Sequence, residues 1–199
     1  MKKILSILSI PLTIIFIIFI IYAFILGQSK TGDNYSKELM NKYKDKEIRI
    51  NYFKENESHF NTISTMFKKY EEVTSIINKD IYEICNSKEY EKSLNESISL
   101  CLEKEIKEEL DLDEITQAIT SLKDIVKITK NMTINTSNIE VEESVTFYLV
   151  TSTNHQIYYE YCLNNVECNT TEDYYEKDNK IYQKNKIDDY WSSIYDDIA

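Results

Sequence analysis

The chain has 199 residues and a formal charge of −11, which fits a single domain plus an appendage. Three of the 23 bases, Lys2, Lys3 and Lys30, precede the first acid, Asp33, so the remainder carries 20 bases against 34 acids. A surface this acidic repels phosphate backbones, which argues against nucleic-acid partners, and anionic lipid headgroups, so the body is expected to stand off a bilayer.

Ile4 to Leu26 is a 23-residue apolar run interrupted only by Ser6, Ser9, Pro11 and Thr13. As a helix it spans roughly 34 Å, against about 30 Å of hydrocarbon. Seventeen of its residues are Ile, Leu or Phe, and at typical insertion energies they contribute on the order of 5–10 kcal/mol. The run is expected to be a retained single-pass transmembrane anchor. The alternative is a cleaved signal peptide, with Lys2 and Lys3 as its basic end and Gly27 and Ser29 as small residues before a cut, giving a secreted product. Lys2 and Lys3 favour a cytoplasmic N-terminus with the body outside. The domain reading is an anchor over 1–29, a polar tether or helix extension over 30–52, and an extracytoplasmic domain over 53–199.

Between residues 55 and 84 the apolar positions Phe60, Ile63, Met66, Phe67, Tyr70, Val73, Ile76, Ile77, Ile81 and Ile84 recur with helical spacing, which predicts one long helix. Leu94, Ile98, Cys101, Leu102, Ile106 and Leu110 predict a second helix. Ile115, Ala118, Ile119, Leu122, Ile125, Val126 and Thr129, behind an acidic first turn at Asp113 and Glu114, predict a third. The pattern then becomes that of strands. Ile139 to Val141 alternates, Val145 to Val150 is β-rich on both faces, and Ile157, Tyr159 and Tyr161 share one face. Lys180 to Tyr182 and Asp189 to Trp191 are placed at the end of the same sheet. The predicted class is α+β: a transmembrane helix, then two to three amphipathic helices packed on a C-terminal antiparallel β-meander.

This order resembles a loose group of small exported or membrane-anchored proteins of low-GC Gram-positive bacteria. The resemblance covers roughly Phe53 to Ala199. It lies in a helix with Phe60 and Tyr70, tyrosine-rich strands such as Ile157-Tyr158-Tyr159, and the terminal Ile187-Asp188-Asp189-Tyr190-Trp191. It is architectural, and it implies no activity and no functional residue.

The four cysteines, Cys85, Cys101, Cys162 and Cys168, are an even number in a domain read as exported, which suggests disulfides. The favoured pairs are Cys85–Cys101 and Cys162–Cys168. The second brackets a five-residue hairpin with an Asn-Asn tip. The first depends on the helix boundary. A helix from Lys88 to Glu109 holds the two cysteines about 20 Å apart, whereas one starting near Leu94, capped by Ser93 with Glu96 three residues on, lets them meet. The competing reading is buried free thiols in a cytosolic domain. Zinc is disfavoured, because the spacings are not those of a zinc site.

From Asp33 onward the chain holds neither glycine nor proline. That removes the P-loop, the dinucleotide fingerprint, the nucleophile elbow and the EF-hand turn, and leaves turns to Asn, Asp and Ser. His59 and His155 are the only histidines, and no local motif joins either to a nucleophile. Acidic doublets such as Glu71/Glu72 and Asp196/Asp197 are expected by number alone among 34 acids. No catalytic residue, metal ligand or cofactor is assigned.

Nine of the 16 tyrosines fall at or after Tyr148. Most aromatics in strands pack a core, but an exposed tyrosine and tryptophan face serves a protein or glycan partner. The candidates for that face are Tyr158, Tyr161, Tyr174, Tyr175 and Trp191. The preferred reading is a membrane-tethered extracytoplasmic binding module with a partner in the cell envelope. The alternatives are a small envelope hydrolase working through carboxylates and a structural subunit of a membrane complex.

Overall fold

The computed structural model describes residues 35–78, 85, 90–106, 111–135, 140–152, 154–163, 173–177 and 180–197, with the backbone alone at 133–135, 140–142, 175 and 177. The apolar run at 4–26 and Cys168 lie outside the described residues. Among those described, no helix is long and apolar enough to cross a membrane. By its internal contacts the chain divides into Met1–Glu38 and Leu39–Ala199. Of the first unit only 35–38 are described, and they are helical.

In the second unit, residues 39–43 are helical. Helix α1 follows at Lys46–Lys69. Asp45 starts it by accepting from the main-chain N–H groups of Glu47 and Ile48 at 2.8 and 3.4 Å, satisfying donors that a helix start leaves unpaired. Lys68 and Lys69 sit in its last turn, where cations oppose the carbonyl end of the dipole. Phe53, Phe60 and Phe67, seven residues apart, fall on its buried face.

The body corrects the predicted class. It is mostly one nine-stranded antiparallel sheet, in the spatial order β2-β3-β1-β4-β5-β6-β9-β8-β7. Three strands arise where the sequence predicts helix: β1 at Val73–Asn78, β2 at Tyr90–Ser93 and β3 at Ile98–Leu102. The predicted first helix ends at Tyr70, and the predicted second helix is a hairpin where it is described; Ile81, Ile84 and Leu110 of those predictions lie outside the described residues. The expected capping box at Ser93 and Glu96 is instead the turn of that hairpin, where the Asn95 Oδ1 accepts from the N–H groups of Ser97 and Ile98 at 2.9 and 2.8 Å. The third predicted helix exists as α2, Leu112–Ser121, capped by Asp111 through the Glu114 N–H at 3.0 Å. It stops before Val126 and Thr129, and β4 begins at Lys127 and runs to Asn135.

The remaining strands are β5 (Glu140–Thr151), β6 (His155–Cys162), β7 (Asp173–Lys177), β8 (Lys180–Lys186) and β9 (Trp191–Asp197). This is not a simple meander, since β9 inserts between β6 and β8 and β1 inserts between β3 and β4. Side chains supply the turns that glycine and proline do not. The Ser152 hydroxyl accepts from the His155 N–H at 3.0 Å, and Asp188 accepts from Tyr190 and Trp191 at 2.7 and 2.8 Å.

Both helices join one face of the sheet in a single core cluster that includes Leu100, Ile128, Val145, Phe147, Ile157, Tyr159 and Trp191. Its centre is aromatic. Phe53 and Trp191 lie 4.9 Å apart by ring centroid, Phe60 and Tyr159 5.0 Å, and Phe60 and Phe147 5.1 Å, within the range of favourable ring pairs. Cys101 alternates to the other face between Leu100 and Leu102 and bonds Cys85, with Cα atoms 5.5 Å apart. With Ile77 the two form a small separate cluster. Cys162 is disulfide-bonded as well.

Candidate binding face

Strand parity sorts the sheet residues. Val145 and Phe147 of β5, Ile157 and Tyr159 of β6, and Trp191 and Ser193 of β9 point toward the helices. Their neighbours point the other way. Cross-strand register on that second face places Lys127, Tyr148, Tyr158, Ile194 and Lys184 in one row across β4, β5, β6, β9 and β8. The next row holds Thr129, Thr146, Glu160, Ser192 and Lys186. Tyr182 and Asp196 face each other on the opposite side of the first row. Thr146, Ser192 and Ile194 of this face are buried, Tyr148 and Tyr158 are half-buried, and Tyr148 also packs against the core cluster.

The Tyr148 and Tyr158 rings meet at 5.5 Å and 43°. Beside them Lys184 Nζ donates to Glu160 Oε2 at 3.2 Å, and Asn131 Nδ2 donates to the Thr146 hydroxyl at 2.6 Å. Burial, reinforced by Tyr182, Glu160 and Asp196, pushes the Tyr158 hydroxyl well above the ordinary tyrosine range. Burial, then Glu160 and Asp196, raises Tyr182, and burial, then Asp197, raises Asp196. The face therefore holds neutral phenols next to a lysine–glutamate pair. It offers ring surfaces and both hydrogen-bond donors and acceptors.

The five residues proposed for an aromatic surface are dispersed. Tyr158 lies on the face just described. Trp191 is only 2% exposed and sits inside the core, its indole N–H donating to Asn61 Oδ1 at 3.3 Å. Tyr161 is half-buried on the helix side, 4.8 Å from the Trp191 ring. Tyr174 is exposed on β7, an outer strand of the sheet, and donates to Glu176 at 3.0 Å. Tyr175 is paired with Tyr182 in backbone register. The residues that accompany Tyr158 are Tyr148, Tyr182, Glu160 and Lys184. Period-two parity is the signal that finds them, because placing Ile157, Tyr159 and Tyr161 on one face puts Tyr158 and Glu160 on the other.

A second polar cluster joins α1 to the sheet. Arg49, the sole arginine of the chain, has 0% of its surface exposed. Its Nη1 donates to the Tyr43 and Lys44 carbonyls, both at 2.8 Å, and Nη2 to Gln183 Oε1 at 2.9 Å. The two carbonyls close the helical segment that ends at 43, so the guanidinium sits at the negative end of that segment. Burial still pulls it below its ordinary range. Nearby, the Tyr43 hydroxyl donates to Asp124, to which Lys42 also donates at 2.6 Å.

His155 Nδ1, at the start of β6, lies 3.0 Å from Asp197 Oδ1 at the end of β9, and His59 is on α1. Asp196 and Asp197, adjacent on β9, point to opposite faces. No group of three or more His, Cys, Asp or Glu side chains among the described residues is placed to hold a metal ion. A groove of about 370 Å³ between α1 and α2, lined by Ser58, Asn61, Thr65, Lys69, Asp111 and Glu114 among others, contains neither histidine nor cysteine. No protein-family model, curated protein or solved structure matches the chain.

Proposed function

We propose that this protein is an extracytoplasmic binding module, held at a membrane by its N-terminal apolar segment, whose sheet face bearing Tyr148 and Tyr158 engages a protein or glycan of the cell envelope. The observation that carries the reading is the Tyr148–Tyr158 ring pair beside Lys184 and Glu160. Aromatic rings on the same face as an ordered charge pair supply contact area at low entropic cost together with directional hydrogen bonds. The apolar run, the acidic body and the disulfide are consistent with a domain that works outside the cytoplasm.

Cross-linking of the full-length protein in intact envelopes tests this directly. A photoreactive residue at position 148 is expected to give a discrete adduct that Tyr158→Ala abolishes, while the same label on exposed Lys54 of α1 gives none. Equal adducts from both positions would overturn the assignment of the face. A body protected from protease added to intact cells would overturn the location.

A further inference from the structure

Three buried polar atoms have no hydrogen-bond partner among the described residues of one small patch: Arg49 Nε, Asn185 Nδ2 and Ser193 Oγ. All three residues are at least nine-tenths buried, Arg49 and Ser193 at 0% and Asn185 at 3% exposure. Register pairs the two strand residues, and α1 brings Arg49 to the same face of the sheet one register step away. Asn185 and Ser193 are direct partners across β8 and β9, and Ser193 is the partner of Tyr159 on β6. The Tyr159 hydroxyl donates to the Arg49 carbonyl at 2.8 Å, so this is the face on which α1 lies. The guanidinium of Arg49 reaches Gln183 at 2.9 Å and lies 5.9 Å from the Tyr195 ring. Gln183 and Tyr195 are the adjacent same-face pair, about 7 Å along the strands from Asn185 and Ser193.

Two of the three groups can only donate, and the serine hydroxyl can donate with them. The guanidinium is charged, and no carboxylate forms an ion pair with it among the described residues. Its hydrogen-bond acceptors are two main-chain carbonyls and one neutral amide oxygen. Asp45 favours its charge without contacting it, and a buried cation whose direct partners are all dipoles is under-compensated. A water molecule would accept some of these hydrogens but bring no charge. We infer that Arg49, Asn185 and Ser193 form an internal site for a small monovalent anion of halide size, seated between the start of α1 and the β8–β9 pair. A bound anion supplies the missing negative charge and accepts the three unpaired hydrogens at once. Because the site joins the helix to the sheet, its occupation stabilises the folded body.

Thermal unfolding of the full-length protein, titrated with sodium chloride against sodium gluconate at constant ionic strength, reads this out. A saturable rise in Tm with chloride is expected, since gluconate is too large for an enclosed site. Ser193→Ala removes one donor with little change in volume and is expected to raise the half-saturating chloride concentration by about tenfold. Arg49→Met is expected to abolish the chloride dependence. If that variant fails to fold, Ser193→Ala decides alone. Crystals grown in bromide are expected to show an anomalous scattering peak between the three side chains. Identical Tm values in the two salts, an unchanged chloride dependence in Ser193→Ala, or a water molecule at that position in the bromide crystals would each overturn the site.

Discussion

The Tyr159 hydroxyl donates to the main-chain oxygen of Arg49 at 2.8 Å, tying β6 to the first turn of α1 across 110 positions of sequence. Its ring also packs 5.0 Å from Phe60 and 5.9 Å from Phe53, so one side chain serves both the aromatic core and the polar cluster of Arg49. Tyr159→Phe separates the two roles. The ring stays and the hydrogen bond goes, at an expected cost of about 1 kcal/mol. Tyr159→Ala removes both and is expected to cost about 3–5 kcal/mol. Urea unfolding of the two variants checks this. Equal losses would mean that the hydroxyl, not the ring, is the greater contributor.

Trp191 is the only tryptophan in the chain and touches Phe53, Phe60, Phe147 and Tyr161. Its fluorescence therefore reports on the packing of α1 against β5, β6 and β9. Native emission is expected at short wavelength and shielded from acrylamide, shifting red in a single step on unfolding. Phe53→Ala leaves a cavity against the indole, and is expected to cost about 3–5 kcal/mol and to increase quenching. A native indole as accessible as free tryptophan would contradict the placement of Trp191 in the core.

Much of α1 and most of the later strands are legible in the sequence, and the failures have a common cause. Without glycine or proline past Gly32, nothing punctuates the passage from α1 to β1. A bulge between Val73 and Ser75 then lets Val73 and Ile76, three residues apart, both join the helix-side core. That spacing imitates a helix. The run Ile98–Leu102 pairs with β1 on one side and β2 on the other and is apolar toward both faces at Leu100, Cys101 and Leu102, so it lacks the alternation that marks a half-exposed strand. The buried state of Arg49 had one sequence signal. It lies four residues before Phe53, on the stripe that continues through Phe60 and Phe67, where an arginine cannot avoid the core.

The Cys85–Cys101 bond closes a loop of sequence separation 16 and pins a residue outside the regular elements to the inner strand β3. A loop of that size is worth about 3 kcal/mol in the chain-entropy account. Replacing both cysteines by alanine is expected to lower stability by about that much, with α1 and the aromatic core still forming. Non-reducing peptide mapping should yield a fragment linking the two residues. Recovery of both as free thiols from the native source would remove the disulfide and weaken the extracytoplasmic assignment with it.

Alkaline titration probes the buried phenols. Burial raises Tyr43, Tyr158 and Tyr159 well above the ordinary value of 10.0, aided at Tyr43 by its hydrogen bond to Asp124 and at Tyr158 by Tyr182 and Glu160. An acid whose folded pKa is raised holds its proton more tightly when folded. Its contribution to stability is complete below the unfolded value near pH 10 and is lost as pH climbs through the folded value, because the unfolded chain ionises first. Stability is therefore expected to be flat on approach to pH 10 and to fall above it. Tyrosinate absorbance should appear in two stages: a reversible one from accessible tyrosines, then a cooperative one coincident with loss of near-ultraviolet circular dichroism. Tyr43→Phe should remove one phenol from the second stage only. All 16 tyrosines ionising in one smooth reversible curve, with the fold intact, would show that these three rings are open to solvent.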